Sequence, residues 1–347
     1  MNIDEKYIKR CLEIASFGLG FTAPNPMVGA VIVYNNKIIG EGFHHKYGGH
    51  HAEVNAINSV KNKNLLKDST LYISLEPCSH FGKTPPCSDL IIKHKIPNII
   101  IGSKDINSKV NGKGIQNLKN SGCNVTVGVL EKECKELNKF FFTFHKKKRP
   151  YIILKWAQTA DGFIDIIRGE KSPQEPTWIT DNFAQIINHK WRAEAQSIIV
   201  GANTAINDNP KLNVRKWKGN NPLRIIIDRD LSLPKTLRLF DGTTPTLVFT
   251  EKQHDSKINI EYCKINFNNN IINQILEILY TKNIQSLIVE GGAKTINSFI
   301  KENLWNEARV FIADKYFKKG IKAPVINQIP VSKDNINSCN LYKYLNI

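Results

Sequence analysis

The sequence has no apolar run approaching the roughly 20 residues that a helix needs to cross a bilayer. Its longest, such as Val28–Val33 and Tyr151–Leu154, are far shorter, which excludes an integral helical membrane protein. The opening stretch MNIDEKYIKRCLEIA carries charges where a secretory signal would place its apolar core, so a cytoplasmic protein is expected. Cysteine is scarce and odd in number, with seven residues scattered at positions 11, 78, 87, 123, 134, 263 and 339. No disulfide framework fits that pattern, and reduced thiols remain, some available as metal ligands. Acidic residues are short as well: 31 Asp and Glu face 48 Lys and Arg, a net charge of +17. Such a field attracts nucleic acid and phosphorylated metabolites alike. Many lysines stand beside asparagine, as in NNK and KNKN, which suits a solvated surface better than a specific basic groove. There is no internal repeat.

What is present is ordinary globular composition, 41% hydrophobic and 23% charged over 347 residues. That length exceeds the roughly 250–300 residues at which single cores stop growing, so two domains are expected. Asp4–Phe17 places Ile8, Cys11, Leu12 and Ala15 at helical spacing, with Asp4 available as a cap. Asn35 and Asn36 divide two apolar stretches and suit a tight hairpin. Helices and strands then alternate: HAEVNAINSV, TLYISLEP, SDLIIKHK, NIIIGSKD, GIQNLKNSG and CNVTVGVL, the pattern of a three-layer α/β domain. After the helix-like ECKELNKFFFTFH, the run Lys146–Pro150 marks a basic linker between residues 1–145 and 151–347. Beyond it YIILKWA, AQSIIVGA, PLRIIIDRD, PTLVFT and SLIVEGG read as strands, and IINQILEILYTKN and AKTINSFIKENL as helices. These imply a second α/β domain with its own sheet.

Three elements of the first half converge on zinc: His51 in H-A-E, Cys78 in E-P-C and Cys87 in P-P-C. One imidazole and two thiolates suit a catalytic zinc that keeps a fourth position open. Each ligand falls near an element end, where unpaired N–H groups and the helix dipole favour thiolate. Glu53, two residues past His51, is about 200° around a helix from it, yet both reach a site lying off the helix N-terminus. A carboxylate there can move a proton from water to a ring nitrogen and a leaving amine, the glutamate's role in zinc deaminases.

HAEVNAI, LEPCSHFGKTPPCSDLI, APNPMVGAVIV and GEGFH together resemble the deaminase half of the bifunctional riboflavin biosynthesis deaminase-reductase family. Nucleic-acid deaminases end in P-C-x-x-C, whereas eight residues, SHFGKTPP, separate the cysteines here, as in the riboflavin enzymes. The resemblance implies an N-terminal αβα cytidine-deaminase-like domain. In it Asn25 holds the pyrimidine, and His44, His80 and Lys83 border the ribose phosphate.

The second half lacks G-x-G-x-x-G, which disfavours a standard Rossmann domain. Its Gly pair in LIVEGGAKTINSF would present backbone N–H groups at a helix start. RPYIILKWAQTADG, PTWIT, WRAEAQSIIVGANTAINDNPKLNVR and LIVEGGA resemble the reductase half of the same family, which implies a C-terminal dihydrofolate-reductase-like α/β domain. By that resemblance Gln158, Trp178, Thr204, Asp208, Gly292, Ala293, Lys294, Thr295, Ile296, Asn297 and Ser298 line an NADPH site. Arg192, Leu212, Arg215 and Glu290 hold substrate, the arginines by pairing with its phosphate. The chain departs from the family at Gln158, normally a small residue, and over Ile164–Thr177, which is longer.

The implied function is zinc-dependent deamination of 2,5-diamino-6-(5-phosphoribosylamino)pyrimidin-4-one, followed by NADPH-dependent reduction of ribosyl to ribityl. One zinc per chain, a small phosphorylated pyrimidine as substrate, no nucleic acid or membrane partner and a homo-oligomer, dimer or tetramer, are expected. Competing readings are a tRNA-type nucleic-acid deaminase with an accessory domain, a non-catalytic zinc module, and a deaminase whose second domain is inactive.

Overall fold

Asn35 and Asn36 adopt left-handed backbone, with φ of 47° and 58°. They turn the chain between antiparallel strands β1 (Gly29–Tyr34) and β2 (Lys37–Phe43), as residues tolerant of positive φ should. This hairpin belongs to the first of two units in the computed structural model, Met1–Lys148 and Arg149–Ile347. The residues described are 2–79, 85–107, 110–169 and 173–346.

The first unit continues with β3 (Thr70–Leu75), β4 (Asn98–Ser103) and β5 (Asn124–Val127), and its helices are α1 (Ile3–Ser16), α2 (Ala52–Ser59), α3 (Cys87–Lys93), α4 (Lys113–Asn120), α5 (Glu131–Leu137) and α6 (Lys139–Lys147). The sheet order is β2-β1-β3-β4-β5, with β3, β4 and β5 parallel. Strand alternation sends Ala30, Ile32, Leu71, Ile73, Ile99 and Ile101 against α2, α3 and α4, and Val31, Val33, Tyr72 and Ile100 against α1 and Cys134 of α5. The three layers expected are therefore present.

Local details differ from the sequence reading. Asn2, not Asp4, caps α1, accepting the Asp4 N–H at 3.3 Å, while Asp4 accepts the Tyr72 hydroxyl at 2.9 Å. The stretch expected as one helix is α5 and α6, broken at Asn138. Its carboxamide leaves the helix register to bond both backbone groups of Met27, at 2.8 Å each. Helix α6 also runs into the basic segment as far as Lys147, lysine being a good helix former.

The second unit contains β6 (Tyr151–Thr159), β7 (Phe163–Asp165), α7 (Asn182–Glu194), β8 (Ser197–Gly201), α8 (Ala202–Asp208), β9 (Leu223–Ile227), β10 (Thr246–Thr250), β11 (Ile260–Lys264), α9 (Ile271–Thr281), β12 (Ser286–Glu290), α10 (Ala293–Lys301), β13 (Glu307–Ala313), β14 (Ile321–Lys322), β15 (Ser332–Ile336) and β16 (Cys339–Leu345). Among the described residues nine strands form one sheet in the order β11-β10-β9-β8-β12-β6-β13-β16-β15. From β11 to β13 all pairings are parallel; β16 and β15 add antiparallel edges. One face packs on α9 and α10 through Leu154, Ile199, Val289, Leu276 and Phe299, and part of the other on α7 through Phe311, Leu341 and Ala184. β7 and β14 pair separately. The parallel strands all end on one side, where open α/β sheets bind ligands.

Candidate active sites in the two units

In the first unit the chain leaves β3 through Glu76 and Pro77 to reach Cys78, which therefore stands at the carboxyl end of the sheet. His51 is the N-cap position of α2 and Cys87 the first residue of α3. His51 Nδ1 lies 3.6 Å from Cys78 Sγ and 3.3 Å from Cys87 Sγ, and all three ligand atoms fall within 4.8 Å of one another. Tetrahedral zinc at ordinary bond lengths needs about 3.5 Å between such nitrogen and sulfur atoms, so the donor set fits the ion. Among the described residues it is the one such cluster of His, Cys, Asp or Glu.

Without metal, the Cys78 thiol is drawn down to about 4, first by its hydrogen bond with the Cys87 thiol and, against burial, by His51. Cys87 moves up, first through that same bond and then through burial. A divalent cation held there would take both sulfurs as thiolates. His51 is raised, chiefly by its bond to Cys78. Glu53 on α2 is 3% exposed, and burial, with the nearby Cys78, lifts it to about 7.

Beyond His51 lies His44, which is buried rather than solvated; its ring meets the His51 ring edge-on at 5.4 Å. Its Nδ1 is 2.9 Å from the His50 carbonyl, so that nitrogen carries the proton. Nε2 is then an acceptor for the Asn25 carboxamide N–H at 3.1 Å, which leaves the Asn25 oxygen as an acceptor for a ligand. Burial lowers the His44 pKa and keeps the ring neutral. His80 and Lys83 lie outside the described residues.

The second unit holds a cavity of about 1210 Å³. Trp178, Thr204, Asp208, Gly292, Ala293, Lys294, Thr295 and Ser298 line it, as do Arg192, Leu212, Arg215 and Glu290. Trp178, 56% exposed, is no packing residue. Leu212 is buried with left-handed backbone, φ 48°. Gly291, at φ 114°, and Gly292 form a bare cradle in which a Cβ on Gly291 would lie 2.8 Å from Thr204 Oγ1, and the Gly292 N–H donates to that hydroxyl at 2.8 Å. Glycine there and the start of α10 suit close approach of a dinucleotide phosphate.

Three of the expected contacts do not line this cavity. Gln158 accepts the Trp156 indole N–H at 2.8 Å, the two being neighbours on one face of β6. Ile296 is buried in the core beneath α10 and Asn297 is exposed, because adjacent helix positions point 100° apart. Asp208 is tied at 3.2 Å to Arg168, and burial raises it to about 6.

Arg192 also differs from expectation. Its Nη2 donates at 2.7 Å to Glu290, so its charge is matched by a carboxylate before any phosphate arrives, while its buried Nε has no partner among the described residues. Arg215 instead bonds the neutral side chain of Asn213 at 2.6 Å. Lys155 and His189 were not recognised from sequence, and both line the cavity. Lys155 approaches Glu290 at 3.6 Å; as a charged residue inside an apolar strand it was the available signal. His189 accepts the Arg215 backbone N–H at 3.1 Å, and burial, then Arg192 and Arg215, lower it to about 4. Burial opposes ionisation of Glu290, but Arg192 and Lys155 outweigh it and hold the carboxyl at about 2.

The first unit thus brings the donor set of a zinc-dependent deaminase beside a buried carboxyl, and the second sets a large cavity at the carboxyl ends of a mostly parallel sheet. Residues 1–103 match the cytidine and deoxycytidylate deaminase zinc-binding region, and residues 150–333 the RibD C-terminal domain. Riboflavin biosynthesis protein RibD of Aquifex aeolicus is 40% identical over 327 residues, spanning 92% of this chain and 89% of that protein. A diaminohydroxyphosphoribosylaminopyrimidine deaminase/5-amino-6-(5-phosphoribosylamino)uracil reductase from Thermotoga maritima has a crystal structure that matches with TM-score 0.88 and 38% identity over 98% of each chain. Acinetobacter baumannii RibD matches with TM-score 0.89 and 28% identity over 99% of this chain and 98% of its own. The chain belongs to the riboflavin biosynthesis protein RibD family. It is a bifunctional enzyme of riboflavin biosynthesis, a hydrolytic deaminase and an oxidoreductase, and zinc and NADPH fit as its cofactors. Among the described residues no helix is long and apolar enough to cross a membrane.

Proposed function

We propose that the first unit deaminates 2,5-diamino-6-(5-phosphoribosylamino)pyrimidin-4-one and the second reduces the ribosyl group of the product to ribityl. The observation that carries the first step is the closeness of His51, Cys78 and Cys87, whose ligand atoms lie within 4.8 Å, beside a buried carboxyl. Zinc held by those residues supplies a Lewis acid that brings the pKa of water towards 7. Glu53 takes one proton from the water as its oxygen bonds C2 and passes it to the ring nitrogen; it then takes the remaining hydroxyl proton and gives it to the amino group, so that the C2–N bond breaks, a C2 carbonyl forms and ammonia leaves. Burial raises the Glu53 pKa above the ordinary carboxylate value, and a buried carboxyl beside the metal site is placed to accept a proton and hand it on. Asn25, oriented by His44, offers its carboxamide oxygen to an N–H of the pyrimidine. His80 and Lys83 border the ribose phosphate.

In the second unit the Gly291–Gly292 cradle, Thr204 and the start of α10 would hold the NADPH phosphates, and Trp178 and Asp208 line the same cavity. NADPH supplies the hydride, and the protein positions C1′ against it. Arg215 pairs with the substrate phosphate, while Arg192, Lys155 and Glu290 present a fixed polar surface to the pyrimidine. We assign residues 1–145 to the deaminase, 146–150 to the linker and 151–347 to the reductase. A cytoplasmic homo-oligomer is part of the same reading. A single purified sample should release one ammonia and oxidise one NADPH per substrate; ammonia release with no NADPH oxidation would contradict the assignment of the second unit.

A further inference from the structure

Glu76, in the turn after β3, is buried, and its carboxylate takes four backbone N–H donors. Oε2 accepts from Asp105 at 3.2 Å and Gly112 at 3.0 Å, and Oε1 from Gly114 at 3.1 Å and Ile115 at 3.3 Å. Three of these donors lie at the start of α4, where N–H groups lack partners inside the helix. The same end of α4 is wedged against the chain at Pro77: a Cβ on Gly114 would lie 2.0 Å from the Pro77 carbonyl oxygen. Cys78 is the next residue. Further along α4, Asn117 Nδ2 donates to Ser88 Oγ at 3.0 Å and to Asp89 Oδ1 at 2.8 Å. Ser88 follows Cys87 directly, and its N–H bonds the Cys78 carbonyl at 3.1 Å. One short helix thus grips the segments that carry both thiols.

We propose that α4 is a brace that fixes the spacing of the Cys78 and Cys87 thiols, with Glu76 and Asn117 as positioning residues for the metal centre. The inference rests on the zinc reading above and deepens it. A glutamine at 76 keeps the shape but turns an NH₂ group towards two N–H donors, so one side of the grip becomes repulsive. Loss of the Asn117 side chain removes the polar tie of α4 to Ser88 and Asp89 and leaves the apolar packing of Ile91 with Ile115 and Leu118 in place. Groups that orient ligands from outside the coordination sphere typically change metal affinity by about 10–100-fold.

The test is zinc affinity, by competition with a chelating dye, in the full-length wild type, Glu76→Gln and Asn117→Ala, together with the absorption bands of the cobalt-substituted proteins. We expect affinity at least about tenfold weaker in Glu76→Gln, a smaller loss in Asn117→Ala, altered cobalt bands in both, and unchanged NADPH affinity. Wild-type affinity and cobalt bands in both variants would overturn the brace while leaving the zinc reading intact. Failure of Glu76→Gln to fold leaves Asn117→Ala as the deciding variant. A wild type that holds no zinc would overturn the zinc reading and the brace with it.

Discussion

Lys155 and Glu290 are register partners on the adjacent parallel strands β6 and β12, and their charged ends meet at 3.6 Å on the cavity wall. Arg192 closes on the same carboxylate from α7 at 2.7 Å. Two cations around one buried anion make Glu290 the keystone of this part of the site. Glu290→Gln should destabilise the second unit by about 3–5 kcal/mol, the usual result of leaving buried charge unmatched. The additional change Lys155→Met should restore part of that loss, measured by denaturant unfolding.

Acid should expose the same cluster. Glu290 titrates near 2 in the folded unit, below its ordinary value of 4.5. Its depressed pKa therefore contributes stability that is full above about pH 4.5 and is lost as the pH falls towards 2. Acid titrations should show a shallower loss of stability across that window in Glu290→Gln than in wild type. Equal slopes would mean that the carboxyl is not held by its cations.

Removal of Cys78 and Cys87 together should abolish zinc binding. In the wild type, occupancy should fall as the pH drops, because protons return to the two sulfurs and to His51. Elemental analysis of the Cys78→Ser/Cys87→Ser protein showing stoichiometric zinc would assign the metal elsewhere.

Arg215→Ala should raise the KM of the reductase step by about one to two powers of ten, the equivalent of roughly 1.5–3 kcal/mol for one charge-assisted phosphate contact. Zinc content and ammonia release should stay at wild-type levels. Unchanged reductase kinetics would remove Arg215 from the phosphate site.

The deaminase site was legible in sequence because its chemistry is carried by rare residue types at element ends. His51, Cys78 and Cys87 could be read without knowing the sheet order, and Asn35–Asn36 declared the hairpin by local conformation alone. The reductase site was less so. Pairing of Lys155 with Glu290 depends on β6 and β12 becoming neighbours, which no local pattern specifies. Helix α7 was not read from the sequence, although Ala184, Ile187 and Trp191 stand at helical spacing on the face that packs against Phe311 and Leu341. The break at Asn138 was hidden because its carboxamide acts through a partner far away in sequence, Met27. Resemblance supplied the cavity residues, but only coordinates separate Ser298, which lines it, from Ile296 and Asn297, which do not.

The central claim is that two chemistries reside in two separate sets of residues on one chain. It is tested most directly by following ammonia release and NADPH oxidation in Glu53→Gln. Glutamine is nearly isosteric but cannot carry a proton between water and the leaving amine. The variant should retain zinc, release no ammonia from the diamino substrate, and oxidise NADPH at the wild-type rate when given substrate already deaminated. Near-normal ammonia release, or loss of NADPH oxidation with the deaminated substrate, would contradict the account.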